Sequence, residues 1–222
     1  MEDTNMMATA PKTNQRLYAL YNEIWSAITH GIGILLATAA TTLLILKAAA
    51  TGDALRIVAF TGFGIALILL YTASTLFHAL YFTKARHIFQ VMDHSGVFIL
   101  IAGSYLPYCL IAIGGRMGIT LLAVIWLLCA AGIGLDCFFV GRFKKLEVAI
   151  YIILGWMCVV AAEPLATHLG AIGIGLLVAG GVSYTLGALL YTQRQIPYIH
   201  VIWHLFVMAG SAFMFFSIYF FV

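Results

Sequence analysis

The sequence predicts an all-α polytopic membrane protein, a bundle of seven transmembrane helices. Three observations carry that reading. Of the 222 residues, 64% are hydrophobic and only 9% are charged, whereas a soluble domain of ordinary composition carries roughly a quarter charged residues. The apolar residues come in long continuous runs, not in the alternating pattern of an outer-membrane barrel. The charges gather in short connections between those runs. A water-soluble globular domain and a disordered chain are both excluded, because too little polar surface is available. The formal net charge of +3 gives no sign of a nucleic-acid partner, and the expected surroundings are membrane lipids.

Residues 1–23 form a polar N-terminal segment without the short apolar core of a signal peptide, and residues 24–222 form the transmembrane domain. The first span, 24–46, lies between Arg16 and Lys47 and contains Ser26, His30 and Gly31-x-Gly33. The second, 56–80, starts at Arg56 and closes with Ser74 and His78 in its last two turns. The third, 91–113, opens with Asp93 and His94, and its Pro107 is expected to kink or break it. The fourth, 118–140, follows Arg116 and carries Asp136 near its end, where Arg142 or Lys144 could pair with it. The fifth, 146–164, is the shortest and ends at Glu163-Pro164. The sixth is 168–191. The seventh, 199–221, places His200 and His204 in its first two turns. Each run is close to the ~20 residues that cross ~30 Å of hydrocarbon.

Glycines at Gly132-x-Gly134, Gly173-x-Gly175 and Gly180-Gly181 read as close-packing positions between helices, since lipid offers no hydrophobic drive for association. Cys109, Cys129, Cys137 and Cys158 all lie in apolar runs and read as small hydrophobes, not as a disulfide framework.

Seven spans put the termini on opposite sides. The N-terminal side then collects Lys12, Arg16, Lys84, Arg86, Arg142, Lys144, Lys145 and Arg194, while the other side has Lys47, Arg56 and Arg116. Positive residues favour the cytoplasmic side, so the N-terminus is expected in the cytoplasm and the C-terminus outside.

That orientation brings His30, Ser74, His78, Asp93, His94, His200 and His204 to one cytoplasmic-side layer. His168 falls at the opposite face. Ionisable groups at membrane depth are costly and mark functional sites. His200 and His204 are four residues apart, so both imidazoles lie on one helix face about one turn apart. Ser74 and His78 share the same spacing. Each residue alone has a simpler reading: an interhelical hydrogen bond for His78, a bond to its own helix for Ser74, a helix cap for Asp93. Together, at one depth, they point to a metal site. Three histidines with one open position form the pattern of a catalytic zinc site, although imidazole also suits iron, copper and nickel. His30 and Glu23 are two turns apart on one face, and either back the site or make an ordinary interhelical contact. His94 is rotated by about 100° from Asp93, so the two are not expected to face the site together.

These motifs resemble those of the hemolysin III-related proteins, the bacterial branch of the progestin and adipoQ (adiponectin) receptor family. The resemblance rests on residues 26–33 (SAITHGIG), 74–78 (STLFH), 92–107 (MDHSGVFILIAGSYLP) and 200–204 (HVIWH). It implies a zinc ion held by His78, His200 and His204, with Asp93 bonded to the zinc-bound water and Ser74 beside it. It also implies a bacterial inner-membrane location. A similar serine, aspartate and three-histidine set occurs in alkaline ceramidases, which suggests hydrolysis of a lipid amide or ester bond, with Asp93 as base and Ser74 as oxyanion donor. Two other functions stay open. One is a hemolysin-like channel or pore, against which stands the lack of a polar stripe on any span. The other is a receptor-like regulator of membrane lipids in which zinc is structural. The polar N-terminal segment is shorter than in the eukaryotic receptors, so hormone recognition is not implied.

Overall fold

A computed structural model describes residues 12–222 apart from Arg194, and no strand occurs among those residues. Residues 1–11 of the polar segment therefore lie outside the described residues. The α-helices are α1 (Lys12–Thr51), α2 (Ala54–Ala79), α3 (Arg86–Pro107), α4 (Gly115–Phe139), α5 (Lys144–Trp156), α6 (Ala162–Tyr191) and α7 (Ile199–Phe221). Six helical runs among the described residues are long and apolar enough to cross a membrane. The chain is a multi-pass helical membrane protein.

Helix α1 begins well before the apolar run starts, inside the segment expected to be merely polar. Its 40 residues amount to ~60 Å at ~1.5 Å per residue, about twice the hydrocarbon thickness. Gly52 takes φ 69° to turn the chain, and Asp53 then caps α2 by accepting from the Leu55 and Arg56 amides at 2.9 and 3.3 Å. Pro107 does not stop the chain. It ends α3, and a π-helical turn, Tyr108–Ile113, carries on. A proline cannot donate to the preceding turn, and the wider turn absorbs the missing bond.

The boundary expected at Glu163-Pro164 is displaced. Pro164 sits in the first turn of α6, where a proline needs no amide hydrogen. Helical segments from Lys144 to Tyr191 thus join into one run of 48 residues, interrupted by non-helical Gly170 at φ 64°. Trp156 Nε1 nonetheless donates to Thr185 Oγ1 at 2.9 Å. A straight helix would hold those residues ~40 Å apart, so the run folds back on itself.

Neighbours along the chain pack antiparallel. Tyr71 lies against Gly33, Ala66 against Gly103, Phe98 against Gly132, and Phe206 against Gly187. One glycine of each x-spaced pair is buried at a helix contact, while Gly134 and Gly175 meet nothing. α1 and α7 run parallel: Ser26 and Thr29 reach His204 at one end, and Lys47 donates to the Tyr219 carbonyl at the other. Arg56 also donates to the Val222 carbonyl. Both cations thereby meet the negative end of the α7 dipole.

The core holds Phe60, Phe63, Phe98, Leu165, Leu169 and Ile218. Outward-facing Leu127 and Phe138 are 71% and 81% exposed, which suits a surface covered by acyl chains. All four cysteines are free; Cys109 and Cys129 are buried, while Cys137 is exposed on that outer surface.

Candidate metal centre

The α7 start is fixed by Tyr198, whose φ of 54° is left-handed and costs a non-glycine residue on the order of 1 kcal/mol. Tyr18 on α1 stabilises it: the Tyr198 amide donates to the Tyr18 hydroxyl at 2.9 Å, and the two rings lie 5.0 Å apart. The next turn presents His200 and His204.

The structure brings His78, His200 and His204 together. One ligand nitrogen from each lies within 4.8 Å of the others. Nε2 of His78 and Nε2 of His200 are 3.0 Å apart. Two imidazole lone pairs that close are stable only with a proton or cation between them. Tetrahedral coordination with metal–nitrogen bonds of ~2.0–2.1 Å would set nitrogens ~3.3 Å apart, so the spacing fits a shared ion.

The other faces of two of these rings are also held. His78 Nδ1 is 2.7 Å from Glu23 Oε2. An ionised carboxylate only accepts, so Nδ1 carries the proton and Nε2 keeps its lone pair. His204 Nδ1 donates to the Ser26 carbonyl at 3.2 Å and to Thr29 Oγ1 at 3.1 Å, which likewise leaves Nε2 as the ligand atom. His30 stacks on His204 with ring centroids 3.5 Å apart and planes 13° apart. Glu23 and His30 therefore both touch the cluster, so the contact is with the site and not elsewhere in the bundle.

Asp93 and Ser74 lie beside the histidines. Asp93 is buried, and His94, His78 and Ser74 are among the groups acting on it. Ser74 Oγ is buried against Asp93, and both His30 nitrogens are buried with no hydrogen-bond partner among the described residues. Buried polar atoms nearly always have partners, so this cluster is built to meet something polar. The three clustered imidazole nitrogens, each with a lone pair to offer, fit a bound cation.

His94 departs from expectation. It lines the same cavity as Asp93, His30 and His200, held there by the Glu147 carboxylate. Its Nδ1 donates to Glu147 Oε1 at 2.5 Å. Tyr151 donates to the same oxygen at 2.8 Å. Asp136 is buried with Glu147 and His94 as its charged neighbours, while Arg142 lies over the Phe143 ring. His168 is exposed, beside Glu163 and Pro164.

The cavity has a volume of about 40 Å³ and carries Lys144 and Glu147 on its wall. It shares Leu70, Val97, Tyr151, Ala188, Trp203 and Val207 with a second, apolar cavity of about 80 Å³ that reaches Trp156, Tyr184 and Met214. A polar pocket thus continues into an apolar one. Sequence reasoning missed Glu147, Tyr151, Ser26 and Thr29 as parts of this region. Glu147 has a signal as one of eight acids in the chain, and Ser26 and Thr29 lie inside the 26–33 motif.

The family profile described as haemolysin-III related matches residues 18–215. The chain is 46% identical to hemolysin-3 of Bacillus cereus over 200 residues, covering 90% of this chain and 91% of that protein. It is 43% identical to the hemolysin-3 homolog of Bacillus subtilis (strain 168) over 205 residues, 92% and 96% of the two chains. It is 28% identical to the monocyte to macrophage differentiation factor of Homo sapiens over 163 residues, 71% and 67% of the two chains.

Proposed function

The chain belongs to the haemolysin III-related family, and from that membership and the geometry of its histidines we propose a metal-dependent intramembrane hydrolase acting on lipid amide or ester bonds. The observation that carries the reading is the convergence of three imidazoles with a buried carboxylate and a buried hydroxyl, of which His200 and Asp93 line the polar end of a cavity that turns apolar. His78, His200 and His204 are the proposed ligands. Zinc is the proposed ion, since a three-imidazole set with an open position suits it. When bound, the ion would lower the pKa of a coordinated water towards ~7 and polarise the substrate carbonyl.

The chain's own residues do the rest. Asp93 accepts the proton of the attacking water. Ser74 donates a hydrogen bond to the oxygen that gains negative charge. Glu23 and the Ser26 carbonyl hold two ligand rings in the tautomer a metal requires. The apolar cavity meets the first carbons of the acyl chain and keeps bulk water from the reacting bond.

The reading includes a topology. We place the N-terminus in the cytoplasm and the protein in a bacterial plasma membrane, with the 48-residue run crossing twice about Gly170 to make seven crossings. The fold-back at Trp156 and Thr185 supports that count.

The test uses purified protein in lipid nanodiscs, with metal measured by elemental analysis and hydrolysis followed on N-hexadecanoyl sphingosine and a long-chain ester. About one metal ion per chain, lost with activity in His200→Ala, is expected. A stable, metal-free protein that cleaves neither substrate would remove the proposal. The name hemolysin-3 of the Bacillus cereus relative favours a second reading, membrane permeabilisation. Dye leakage from liposomes that persists in His78→Ala and His200→Ala would select it.

A further inference from the structure

The His94–Glu147 pair lies outside the three-histidine set, and the mechanism above gives it no task. Its geometry is that of an acid–base residue with its orienting partner. Glu147 Oε1 receives the His94 Nδ1 hydrogen at 2.5 Å and the Tyr151 hydroxyl hydrogen at 2.8 Å. Tyr151 also lies 3.1 Å from the His94 carbonyl, so one phenol ties the carboxylate to the helix that bears the imidazole. With Nδ1 committed to a carboxylate, Nε2 is the ring nitrogen left to exchange a proton. His94 stands on the same cavity wall as Asp93 and His200.

Resting on the hydrolase reading, we propose that His94, oriented by Glu147, is the acid that protonates the leaving group. The chemistry requires such a group. Water's oxygen bonds to the carbonyl carbon while one of its protons passes to Asp93. The C–N bond then breaks with its electron pair on nitrogen, and that nitrogen takes the Nε2 proton of His94, which enters the step as the imidazolium paired with Glu147 and leaves it as the neutral ring with Nδ1–H kept. The products are a carboxylic acid and an amine. Proton exchange with water returns Asp93 and His94 to their starting forms. Asp93, once it holds the water's proton, is one donor for the departing amine; His94, on the same cavity wall with its own carboxylate partner, is a second, and the proposal assigns the step to it. The two residues also have different neighbours, as such a division of labour needs. Asp93 has Ser74 and His78 beside it. His94 has Glu147, with Asp93 and Asp136 acting on it as well, and Lys144 acts on Glu147 in turn.

A competing explanation makes the pair a strut that joins α3 to α5. The two explanations separate on leaving-group chemistry. An amine must be protonated as it departs, whereas 4-nitrophenolate leaves without help. The experiment compares turnover of N-hexadecanoyl sphingosine and of 4-nitrophenyl hexadecanoate in nanodiscs. In His94→Gln, amide turnover should fall by about 10²-fold or more while ester turnover stays within about 3-fold. Glu147→Leu should lower the amide-to-ester ratio to a similar degree. Glu147→Gln keeps an acceptor oxygen for Nδ1 and should restore most of the ratio. Metal content should match the wild type in all three. The ratio within one preparation does not depend on how much of it is folded, so partial unfolding cannot imitate the result. Equal losses on both probes would assign the pair to structure and overturn the proposal. Wild-type protein that holds metal but cleaves neither probe would instead overturn the hydrolase reading, and this proposal with it.

Discussion

Removing the carboxylate behind His78 should weaken metal binding before it disturbs the fold. Glu23 is buried at 8% exposure and lies 2.7 Å from His78 Nδ1. A hydrogen bond to a charged group contributes roughly 1.5–3 kcal/mol, and carboxylates behind a metal-bound histidine are worth about 10–100-fold in affinity, or ~1.4–2.7 kcal/mol. The two ranges overlap, so the expected loss is one to two decades. Glu23→Gln retains an acceptor oxygen and should lose about 10-fold, whereas Glu23→Leu should lose nearer 100-fold. The assay is competition against a graded series of chelators, with bound metal counted after each dialysis and thermal unfolding followed in parallel. Unchanged metal affinity in Glu23→Leu, with or without a lower melting temperature, would refute the reasoning. It would mean that the contact only joins α1 to α2.

Asp93→Asn should retain its metal and lose about 10²–10⁴-fold in hydrolysis, read as kcat on either lipid probe. His204→Ala should lose its metal as His200→Ala does and should also lower the melting temperature further, because it strips the ring that His30 stacks on; elemental analysis and thermal unfolding decide. Gly132→Leu should lower thermal stability by about 1–3 kcal/mol, since its side chain would meet the Phe98 ring, while Gly134→Ala, with nothing within 4 Å, should change little. Single cysteines at Lys84 and Lys145, introduced into a cysteine-free chain, should react with an impermeant maleimide from one side of sealed vesicles, and cysteines at Arg116 and His168 from the other. Labelling of the His168 and Lys145 positions from the same side would exclude two crossings by the Lys144–Tyr191 run.

Much of the architecture was legible because lipid demands it. Continuous apolar runs admit few structures other than helices, and the four-residue spacing of His200 and His204 assigns them to one face without knowledge of the neighbours. What was not legible is set by context. Pro164 reads as a helix end, yet at the start of a helix it is tolerated, and the break falls at Gly170. The polar stretch from Lys12 reads as a tail, yet α1 continues into it, where Tyr18 supports Tyr198. The angle between His94 and Asp93 reads as placing them on different faces, because helix geometry says how far apart two side chains point but not which residues of other helices border the same cavity. The partner of His94, Glu147, is 53 residues away, and no local periodicity announces such a contact. The Ser26 carbonyl that orients His204 is a backbone atom, to which residue identity gives no clue.

Diffraction from crystals of the purified protein, collected on either side of the zinc absorption edge, tests the central claim most directly. The account predicts one anomalous peak per chain, ~2.0–2.1 Å from a ring nitrogen of each of His78, His200 and His204. A map from metal-replete protein with no peak there, or with a peak that omits any of the three rings, would contradict it.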